Sequence, residues 1–569
     1  MTYTQEDYDY FLTCEYESLE EGYDQTSSLS CAFLKSRGLL FAARYGNQSQ
    51  NDPFVFEVLT GEYLITQRTW WTLVILPLED GIPEEHWEDL SWKALMDRAT
   101  CKSPGCCCVW TKTTDKDKYY IGIMGLSQNF VLALEKQKTL VVLGPNMPPL
   151  DYYSNLRTLL SVPHAVPCKN TLNFDFAPQN LWHPAPITDQ DDMTTIIEEA
   201  LSTHDVVAIQ GPPGTGKTTK ITEFIVHLLR QGKSVLVTTL TNQTLMEVAR
   251  KQALEKCLEE GKISKTSLLH EEYKELPTLQ SLPNNECSPR PGFLTLGTFF
   301  WTSGWAHAHP HQPYDYVIVD EASQAFLPML AASRTLGKKV IWIGDQQQLS
   351  PIVLSKETWR DFKDYTPLVQ GFDTLCNHLD IPGFILTSTY RLTRRGAEYT
   401  GIFYGNKLIS AAAVQSTNGA VKENHPAGGP VFLPFPLNDG DKRCESACTM
   451  IYNLVSQLIK SDKKVSIAVL AKFKETVNNL QRKFNYFPQT LLNRIKVSTV
   501  EKVQGLSVDY TIFLIPHVAY RSSLDRSLFN VATSRASSCT FIVANKDILN
   551  QNMPPEVRTY LENLIHRRK

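Results

Sequence analysis

The sequence predicts an α/β protein in which two tandem parallel-sheet domains follow a small β-barrel. From residue 187 onward, strand-like apolar runs alternate with helical patterns in two successive sets. Such alternation is typical of parallel sheets covered by helices on both faces. Between residues 31 and 144, short β-rich runs are separated by turn-forming stretches, which favours a small barrel. At 569 residues, the chain is also too long for one hydrophobic core.

These patterns divide the chain into five segments. Residues 1–30 form an acidic N-terminal segment, residues 31–145 the barrel, and residues 146–180 a connection with a helix over 148–162. The two parallel-sheet domains take residues 181–355 and 356–569. Barrel strands are predicted at residues 38–43, 54–58, 70–76, 106–111, 119–123 and 130–134. Sheet strands are predicted at residues 206–210, 234–239, 293–296, 316–319 and 340–343, and then at 383–387, 466–470, 495–499, 510–515 and 540–544.

Composition narrows the class of protein. The formal net charge is −4, so a surface that binds nucleic acid must be a local basic groove. No stretch approaches the roughly 20 apolar residues that span a bilayer, and residues 1–10 are not signal-like. We therefore expect a soluble intracellular protein, cytoplasmic or nuclear, with no membrane partner. Zinc is not expected at the one cysteine cluster, because three of its members are consecutive: Cys101, Cys106, Cys107 and Cys108.

The strongest local signal is a phosphate-binding loop at residues 211–218. A strand-like run delivers the loop, its glycines turn backbone N–H groups toward a polyphosphate, and a helix N-terminus adds positive potential. Lys217 would reach the outer phosphates, and the Thr218 hydroxyl would help to hold Mg²⁺. The loop predicts that the chain binds and hydrolyses a nucleoside triphosphate. The residues expected around it are Gly211, Pro212, Pro213, Gly214, Thr215, Gly216, Lys217, Thr218 and Thr219.

Two further motifs follow apolar strand-like runs. Asp320 and Glu321 come directly after residues 316–319, at the end where a parallel sheet meets its ligand. Asp320 would hold Mg²⁺, and Glu321 would orient or deprotonate the attacking water. Gln348, in the segment after residues 340–343, has an amide that can bond a γ-phosphate and report its loss.

Together these motifs resemble those of the superfamily 1 helicases, AAA-type P-loop ATPases, and specifically the 5′→3′ branch that contains senataxin and the helicase of nonsense-mediated decay. The phosphate loop, Asp-Glu-Ala-Ser and Gly-Asp-x-x-Gln-Leu-x-Pro stand in the family's order, and segments similar to its motifs V and VI follow. The resemblance covers residues 190–545. It implies two RecA-like motor domains, preceded by a barrel on a helical stalk, with ATP and Mg²⁺ as cofactors.

The resemblance also implies roles for residues of the second half. Tyr390 would stack on adenine and Arg391 would contact the γ-phosphate. Arg535 would be the arginine finger that completes the ATP site across the domain interface. An arginine finger stabilises charge in the transition state, so hydrolysis would depend on closure of the two domains. With Lys217, Glu321 and Gln348, these two arginines form the expected catalytic set.

The nucleotide's base and sugar are matched less closely. Gln190 is a loose match to the family's adenine-reading glutamine, and Gly505 lies in the motif V segment. The family usually has Glu two residues after that glycine, where it contacts the sugar. Here Ser507 stands in its place, so the nucleotide preference stays open.

A single strand of nucleic acid is the expected partner. The segment that ends in Asn242 resembles motif Ia of the family, in which hydroxyls and amides bond the strand's backbone. The hydroxyl, amide and backbone donors of such segments suit contacts that do not depend on sequence. The residues expected to make them are Thr239, Asn242, Thr298 and Thr499.

These expectations describe an ATP-dependent helicase or translocase that moves 5′→3′ on single-stranded DNA or RNA. The alternative is an ATPase switch, gated by nucleic acid or a partner, that remodels complexes without processive unwinding. A helicase-nuclease has little support, since the first 180 residues hold no carboxylate cluster with nuclease spacing. DNA and RNA are not distinguished, because recognition of the 2′-hydroxyl leaves no short motif.

The acidic N-terminal segment matches no motif of the family. Residues 1–30 hold eight acidic residues and no Lys or Arg, with six interleaved aromatic rings. Such a segment could occupy the protein's own nucleic-acid groove or bind a basic protein partner. We favour a surface helix, because charge runs usually form solvated faces. Its expected contacts with the barrel are Tyr10, Phe11 and Tyr16.

Overall fold

The N-terminal segment is one long helix, α1 (Gln5–Ser28). It begins at a capping box, in which the Thr4 hydroxyl accepts a hydrogen bond from the Asp7 N–H and the Asp7 carboxylate accepts one from the Thr4 N–H. The structure is a computed structural model. It describes residues 3–48, 55–60, 70–76, 86–115, 118–136, 140–173, 182–268, 270–282, 286, 288–360, 362–413, 428–438, 440–461, 464–484 and 487–566.

The first half of α1 packs on the first motor domain, so the predicted packing on the barrel was wrong for this half. Phe11 is fully buried, with its ring centroid 5.4 Å from that of Phe326. Glu15 is also fully buried, and its carboxylate accepts hydrogen bonds from the backbone N–H groups of Leu354 and Ser355 at 3.2 and 2.9 Å. Only the far end of α1 approaches the barrel side, at Tyr23. The sequence shows the apolar face of a helix but not which domain covers it.

The barrel predicted from the sequence is confirmed. Its six described strands close in the antiparallel order β1-β2-β5-β4-β3-β6. Alternate residues face inward, so Leu73 and Ile75 pack with Cys106 and Cys108 in the interior. The elements are α2 (Cys31–Ser36), β1 (Phe41–Gln48), β2 (Phe56–Thr60), β3 (Trp70–Leu76), α3 (Trp92–Arg98), β4 (Cys101–Asp115), β5 (Lys118–Met124), α4 (Gln128–Lys136) and β6 (Leu140–Pro145).

One predicted barrel strand, at residues 130–134, was wrong. This segment lies in helix α4, where Phe130 and Leu134, one turn apart, are buried while Leu132 is exposed. The sixth strand is β6, which the sequence analysis missed. A short apolar run cannot be assigned to helix or strand by periodicity alone. The predicted connecting helix is confirmed as α5 (Asp151–Ser161), followed by α6 (Val166–Leu172).

The described strands of the first motor domain form a nine-stranded parallel sheet in the order β11-β10-β12-β9-β13-β14-β8-β15-β7. Helices cover both of its faces. Its strands are β7 (Ala185–Ile187), β8 (Val206–Gln210), β9 (Val235–Thr239), β10 (Ile263–Lys265), β11 (Gln280–Ser281), β12 (Leu294–Thr298), β13 (Tyr314–Val319), β14 (Gly337–Gly344) and β15 (Gly383–Leu386). Its helices are α7 (Met193–Thr203), α8 (Lys217–Arg230), α9 (Asn242–Ala249), α10 (Glu255–Glu259), α11 (His270–Glu275), α12 (Phe299–Ala308), α13 (Leu327–Leu336), α14 (Lys356–Trp359), α15 (Thr366–Val369) and α16 (Gly371–His378).

Strand β15 corrects the predicted boundary at residue 355. We expected this strand to open the second sheet, but it pairs with β8 and β7 of the first, with Phe384 opposite Ile209. The alternation of strands and helices indicates where a strand lies in the chain, not which sheet it joins. The first sheet therefore extends past residue 355, and the chain crosses to the second domain after β15.

The described part of the second motor domain holds a five-stranded parallel sheet in the order β18-β22-β21-β19-β20 and a two-stranded sheet of β16 and β17. Its strands are β16 (Ser388–Thr389), β17 (Ile409–Ser410), β18 (Gly429–Pro434), β19 (Ile467–Ala471), β20 (Ile495–Thr499), β21 (Val508–Leu514) and β22 (Ala536–Ala544). Its helices are α17 (Arg394–Gly401), α18 (Glu445–Ser461), α19 (Lys474–Phe484), α20 (Gln489–Leu492), α21 (Tyr520–Ser523), α22 (Arg526–Thr533) and α23 (Pro555–His566). In the described ranges, no helix has the length and apolar character to cross a membrane.

Candidate active site

The phosphate loop connects β8 to α8, as predicted. Gly214 and Gly216 have φ of 74° and 73°, left-handed values that let successive N–H groups turn toward one point. The Lys217 side chain folds back over the loop, since a Cβ at Gly211 would lie 2.0 Å from Lys217 Cδ. Its Nζ is 3.9 Å from Glu321 Oε1. The loop and this lysine form a cradle that fits the phosphates of a nucleotide.

The two acids lie at the end of β13, two strands from β8 in the sheet. Asp320 is buried, and this burial, followed by the adjacent Glu321, raises the pKa of Asp320 to about 6. Glu321 has a left-handed φ of 54°, and its N–H donates to Asp320 Oδ1 at 2.9 Å. Backbone strain of this kind concentrates at functional sites. A buried carboxylate so close to a phosphate cradle suits a divalent cation, whose charge would offset the burial.

The second motor domain brings Arg391 to the same loop and places Arg535 close enough to Arg391 to affect its pKa. A Cβ at Gly214 would lie 2.4 Å from Arg391 Cβ, so this arginine sits directly on the phosphate loop. Arg391 donates to Ser507 Oγ at 3.1 Å and to the Ser534 carbonyl at 3.2 Å. Arg535 is buried and donates to Ser534 Oγ at 2.9 Å.

These arginines have no salt bridge to a carboxylate within the described residues. Burial, followed by the neighbouring Arg535, lowers the pKa of Arg391 to about 9, and burial also lowers that of Arg535. A buried guanidinium beside a half-buried one is costly without an anion. Together with the loop, they form a site suited to a polyphosphate.

An aromatic ring lies beside the phosphate loop. The Tyr390 ring is within 3.6 Å of where a Cβ at Gly216 would lie, and the residue is half-exposed. Its hydroxyl donates to Asp189 Oδ1 at 2.5 Å, and this bond is the main reason that the pKa of Tyr390 rises to about 12. The open face of the ring can stack on a base. Gln190, which was predicted to read the base, is exposed. The residue that forms a hydrogen bond with Tyr390 is its neighbour Asp189.

Comparison with known protein families identifies both halves of this site. One AAA domain model matches residues 189–367, and a second matches residues 369–547. These are paired domains of the superfamily 1 helicase type. Together the two matches support a superfamily 1 helicase.

Several similar relatives are DNA replication ATP-dependent helicase/nucleases. The chain is 32% identical to the protein DNA2 of Saccharomyces cerevisiae over 427 residues, which cover 65% of this chain and 26% of that protein. It is 23% identical to dna2 of Schizosaccharomyces pombe, over 65% of this chain and 29% of the relative. The chain thus spans under a third of the length of these two relatives. Among solved structures, an Arterivirus nonstructural protein 10 (helicase) is 14% identical over 84% of this chain and 77% of its own, with a TM-score of 0.38, too distant to carry an inference.

Two of the predicted strand-contacting residues lie side by side. Thr239 and Thr298 end neighbouring strands and are register partners. Thr239 is fully buried, which argues against direct contact by its side chain. Thr298 and Thr499 are half-buried at the ends of β12 and β20, and Asn242 is half-buried at the start of α9. Contact with nucleic acid stays a prediction for these three.

The sequence analysis missed several polar residues that join the two motor domains. Gln504 donates from motif V to Glu321 Oε2 at 3.1 Å. Its position directly before Gly505 could have identified it. Ser507 was noted only as a departure from the family, yet it contacts Arg391. A third connection runs through Tyr404. Its segment resembles the family's Phe-Tyr-x-x-x-Leu pattern, but that resemblance does not indicate that the hydroxyl is buried and hydrogen-bonded.

Proposed function

We propose that this chain is an ATP-dependent motor that moves 5′→3′ along a single strand of nucleic acid and separates duplexes. The observation that carries the proposal is the division of the site between domains. The loop, Lys217 and Glu321 belong to the first domain, whereas Arg391 and Arg535 come from the second. Hydrolysis on such a site requires that the domains meet, and their motion can be used to move a strand.

Each residue has a role that follows from its position. Lys217 and the loop N–H groups bind the outer phosphates, and Thr218 and Asp320 are the residues that would hold Mg²⁺. The metal supplies neutralisation of charge on the phosphates when it is bound. Glu321 orients the attacking water and accepts its proton. Gln504 fixes the Glu321 carboxylate from the opposite domain, which makes the base productive only when the domains are closed.

The arginines act where charge develops. Arg391 is held against the loop at Gly214, and Arg535 is anchored through Ser534. Arg535 is buried and Arg391 is half-buried, and in such surroundings their interaction with phosphate oxygens is stronger than in water. Thr298, Asn242 and Thr499 offer hydroxyl and amide groups to the strand backbone.

The relatives support nucleic acid as the partner, since they are named as DNA replication helicase/nucleases. The order and identity of the motifs support the 5′→3′ branch. The test is strand displacement on two duplexes that share one sequence and differ only in a 5′ or a 3′ single-stranded overhang. We expect ATP-dependent separation of the 5′ substrate. Equal separation of the 3′ substrate would contradict the proposed polarity.

A second measurement separates the motor from a switch and DNA from RNA. ATPase rates are measured with DNA and RNA oligomers of matched sequence and increasing length. A translocase hydrolyses faster on longer strands, whereas a switch that resets once per binding event does not. Stimulation should also fall steeply with salt, because contacts with phosphates release counterions. Hydrolysis without displacement on either substrate would favour the switch.

A further inference from the structure

A continuous chain of buried hydrogen bonds crosses the interface between the motor domains. It starts at Asp345, which directly follows β14 in the first domain and is almost completely buried. Asp345 Oδ2 accepts hydrogen bonds from Gln348 Nε2 at 2.6 Å and from the Tyr404 hydroxyl at 2.7 Å. Gln348 is the residue expected to contact the γ-phosphate. One carboxylate oxygen is therefore shared between that glutamine and a tyrosine of the second domain.

The series of hydrogen bonds continues from Tyr404 further into the second domain. Its hydroxyl accepts a hydrogen bond from Asn530 Nδ2 at 2.9 Å, and the same amide donates to the Gln347 carbonyl at 2.8 Å. Asn530 is fully buried in α22. The backbone carbonyl of Asn530 accepts a hydrogen bond from the Ser534 N–H at 3.1 Å, and Ser534 in turn contacts Arg391 and Arg535. The path thus joins Gln348 to both arginines.

The Tyr404 hydroxyl is suited to this position because it both donates and accepts. Burial raises the pKa of Tyr404 well above its usual value, so the hydroxyl keeps its proton. If Gln348 turns its amide toward a phosphate, Asp345 Oδ2 loses one donor and its bond with Tyr404 strengthens. In a buried network each such bond is strong, and losing a partner is costly.

We propose that Tyr404 is a positioning residue that transmits the state of Gln348 to the helix before the arginine finger. The proposal rests on the proposed function, since it assigns a sensing role to Gln348. Tyr404 touches neither nucleotide nor strand in this scheme. It sets how tightly α22, and with it Arg535, is held against the first domain in each nucleotide state.

The test compares a variant that lacks the Tyr404 hydroxyl with a control variant that lacks the hydroxyl of another buried tyrosine. Tyr404→Phe deletes the shared bond and keeps the ring. Tyr399→Phe is the control, because Tyr399 is also buried nearby and its hydroxyl has no hydrogen-bond partner in the described part of the chain. For both variants and wild type, the affinity for a fluorescent single-stranded oligomer is measured by anisotropy. Each is measured without nucleotide, with a non-hydrolysable ATP analogue and Mg²⁺, and with ADP and Mg²⁺.

We expect the wild-type affinities with analogue and with ADP to differ by about 5- to 150-fold, the usual range for coupled sites. In Tyr404→Phe this ratio should fall toward one while the affinity without nucleotide stays unchanged. Tyr399→Phe should keep the wild-type ratio. A purely structural role would lower the melting temperature of Tyr404→Phe and leave the ratio intact, which would overturn the proposal.

Hydrogen exchange without nucleotide gives a readout that does not depend on activity. Amides of α22 should exchange faster in Tyr404→Phe than in wild type and Tyr399→Phe, and equal exchange would also overturn the relay. If Tyr404→Phe does not fold, Asn530→Ala removes the bond from the other side and should show the same loss of the ratio. A wild-type chain that neither hydrolyses ATP nor changes strand affinity with nucleotide would overturn the proposed function and the relay together. A wild-type chain that does both, with an unchanged ratio in Tyr404→Phe, would overturn the relay alone.

Discussion

The two motor domains contribute opposite chemistry to one site. The first supplies the phosphate loop and the acids Asp320 and Glu321, next to Lys217. The second supplies Arg391 and Arg535, which form no salt bridge within the described residues and feel only the more distant carboxylates of the first domain, and neutral donors such as Gln504. The first domain is a binding site with an internal balance of charge. The second is a set of cations that has no counter-ion of its own.

Because of this difference, we expect nucleotide binding and nucleotide hydrolysis to depend on different domains. A nucleotide can be held by the first domain alone, because its cradle is formed within one strand–loop–helix unit. In the proposed mechanism, turnover needs charge stabilisation from the second domain. Substitutions in the two domains should therefore have different kinetic signatures.

The largest effects are expected in the first domain. Lys217→Ala should abolish turnover and weaken ATP binding, because it removes a cation from the phosphate cradle. Glu321→Gln should also abolish turnover but retain bound ATP, since the cradle stays intact. The measurements are steady-state ATPase and equilibrium binding of a fluorescent ATP analogue. Substantial hydrolysis by Glu321→Gln would remove this residue from its catalytic role.

Arg535→Ala tests the second domain. It should bind ATP with a modest loss yet hydrolyse it about 10³–10⁵-fold more slowly, the range found for arginine fingers. Single-turnover kinetics separate this effect from binding. Arg535→Lys is the matched control for charge, and it should recover little activity, because an ammonium lacks the planar fork. A drop below about tenfold in Arg535→Ala would argue that binding and turnover are not divided between domains.

Helix α1 stabilises the first motor domain through the contact between Phe11 and Phe326. Phe11→Ala should destabilise that domain by about 3–5 kcal/mol. The expected result in chemical denaturation is earlier unfolding of the first domain, with the second domain unchanged. Phe33→Ala, at an exposed ring, should change stability by less than about 0.5 kcal/mol. An equal loss of stability in Phe11→Ala and Phe33→Ala would show that α1 is not part of the core of the first domain.

Gln504 and Gln324 both donate to Glu321, the proposed general base, but they belong to different domains. Gln504 bonds Glu321 Oε2 at 3.1 Å across the interface, and Gln324 approaches the same oxygen at 3.5 Å from within the first domain. A hydrogen bond to a charged group is worth about 1.5–3 kcal/mol, so Gln504→Ala should lower kcat roughly 10- to 100-fold. Gln324→Ala should lower it less. The reverse order, in kcat at saturating ATP, would contradict the role of closure.

The smallest effect is expected at Ser507. Its hydroxyl accepts one hydrogen bond from Arg391 at a solvent-exposed position, where water can replace the lost partner, so we expect this bond to contribute about 0.5–1.5 kcal/mol although the guanidinium is charged. Ser507→Ala should therefore change kcat about 2- to 10-fold with little change in ATP affinity. Comparison of ATP with GTP would then show whether this position affects the choice of nucleotide. A large change in ATP affinity alone would place Ser507 at the sugar instead.

The sequence by itself determined the parts of the site that lie within one strand–loop–helix unit. The loop around Lys217 and the acids after β13 follow directly from the local pattern, because a parallel strand delivers its last residues to the ligand edge. The barrel and most of the sheet strands followed from periodicity. The resemblance to the helicase family then added Tyr390, Arg391 and Arg535, which no local pattern assigns to a nucleotide.

Only the tertiary structure decided which distant residues meet. Nothing in the sequence near residue 383 shows that β15 joins the first sheet, and nothing in residues 1–30 shows that Phe11 is buried against Phe326. The same holds for Tyr404, whose hydroxyl meets Asp345 and Asn530 from separate parts of the chain. Periodicity and motifs report the local environment of a residue. Contacts across domains depend on how the packed surfaces fit together, and that fit is a property of the whole fold.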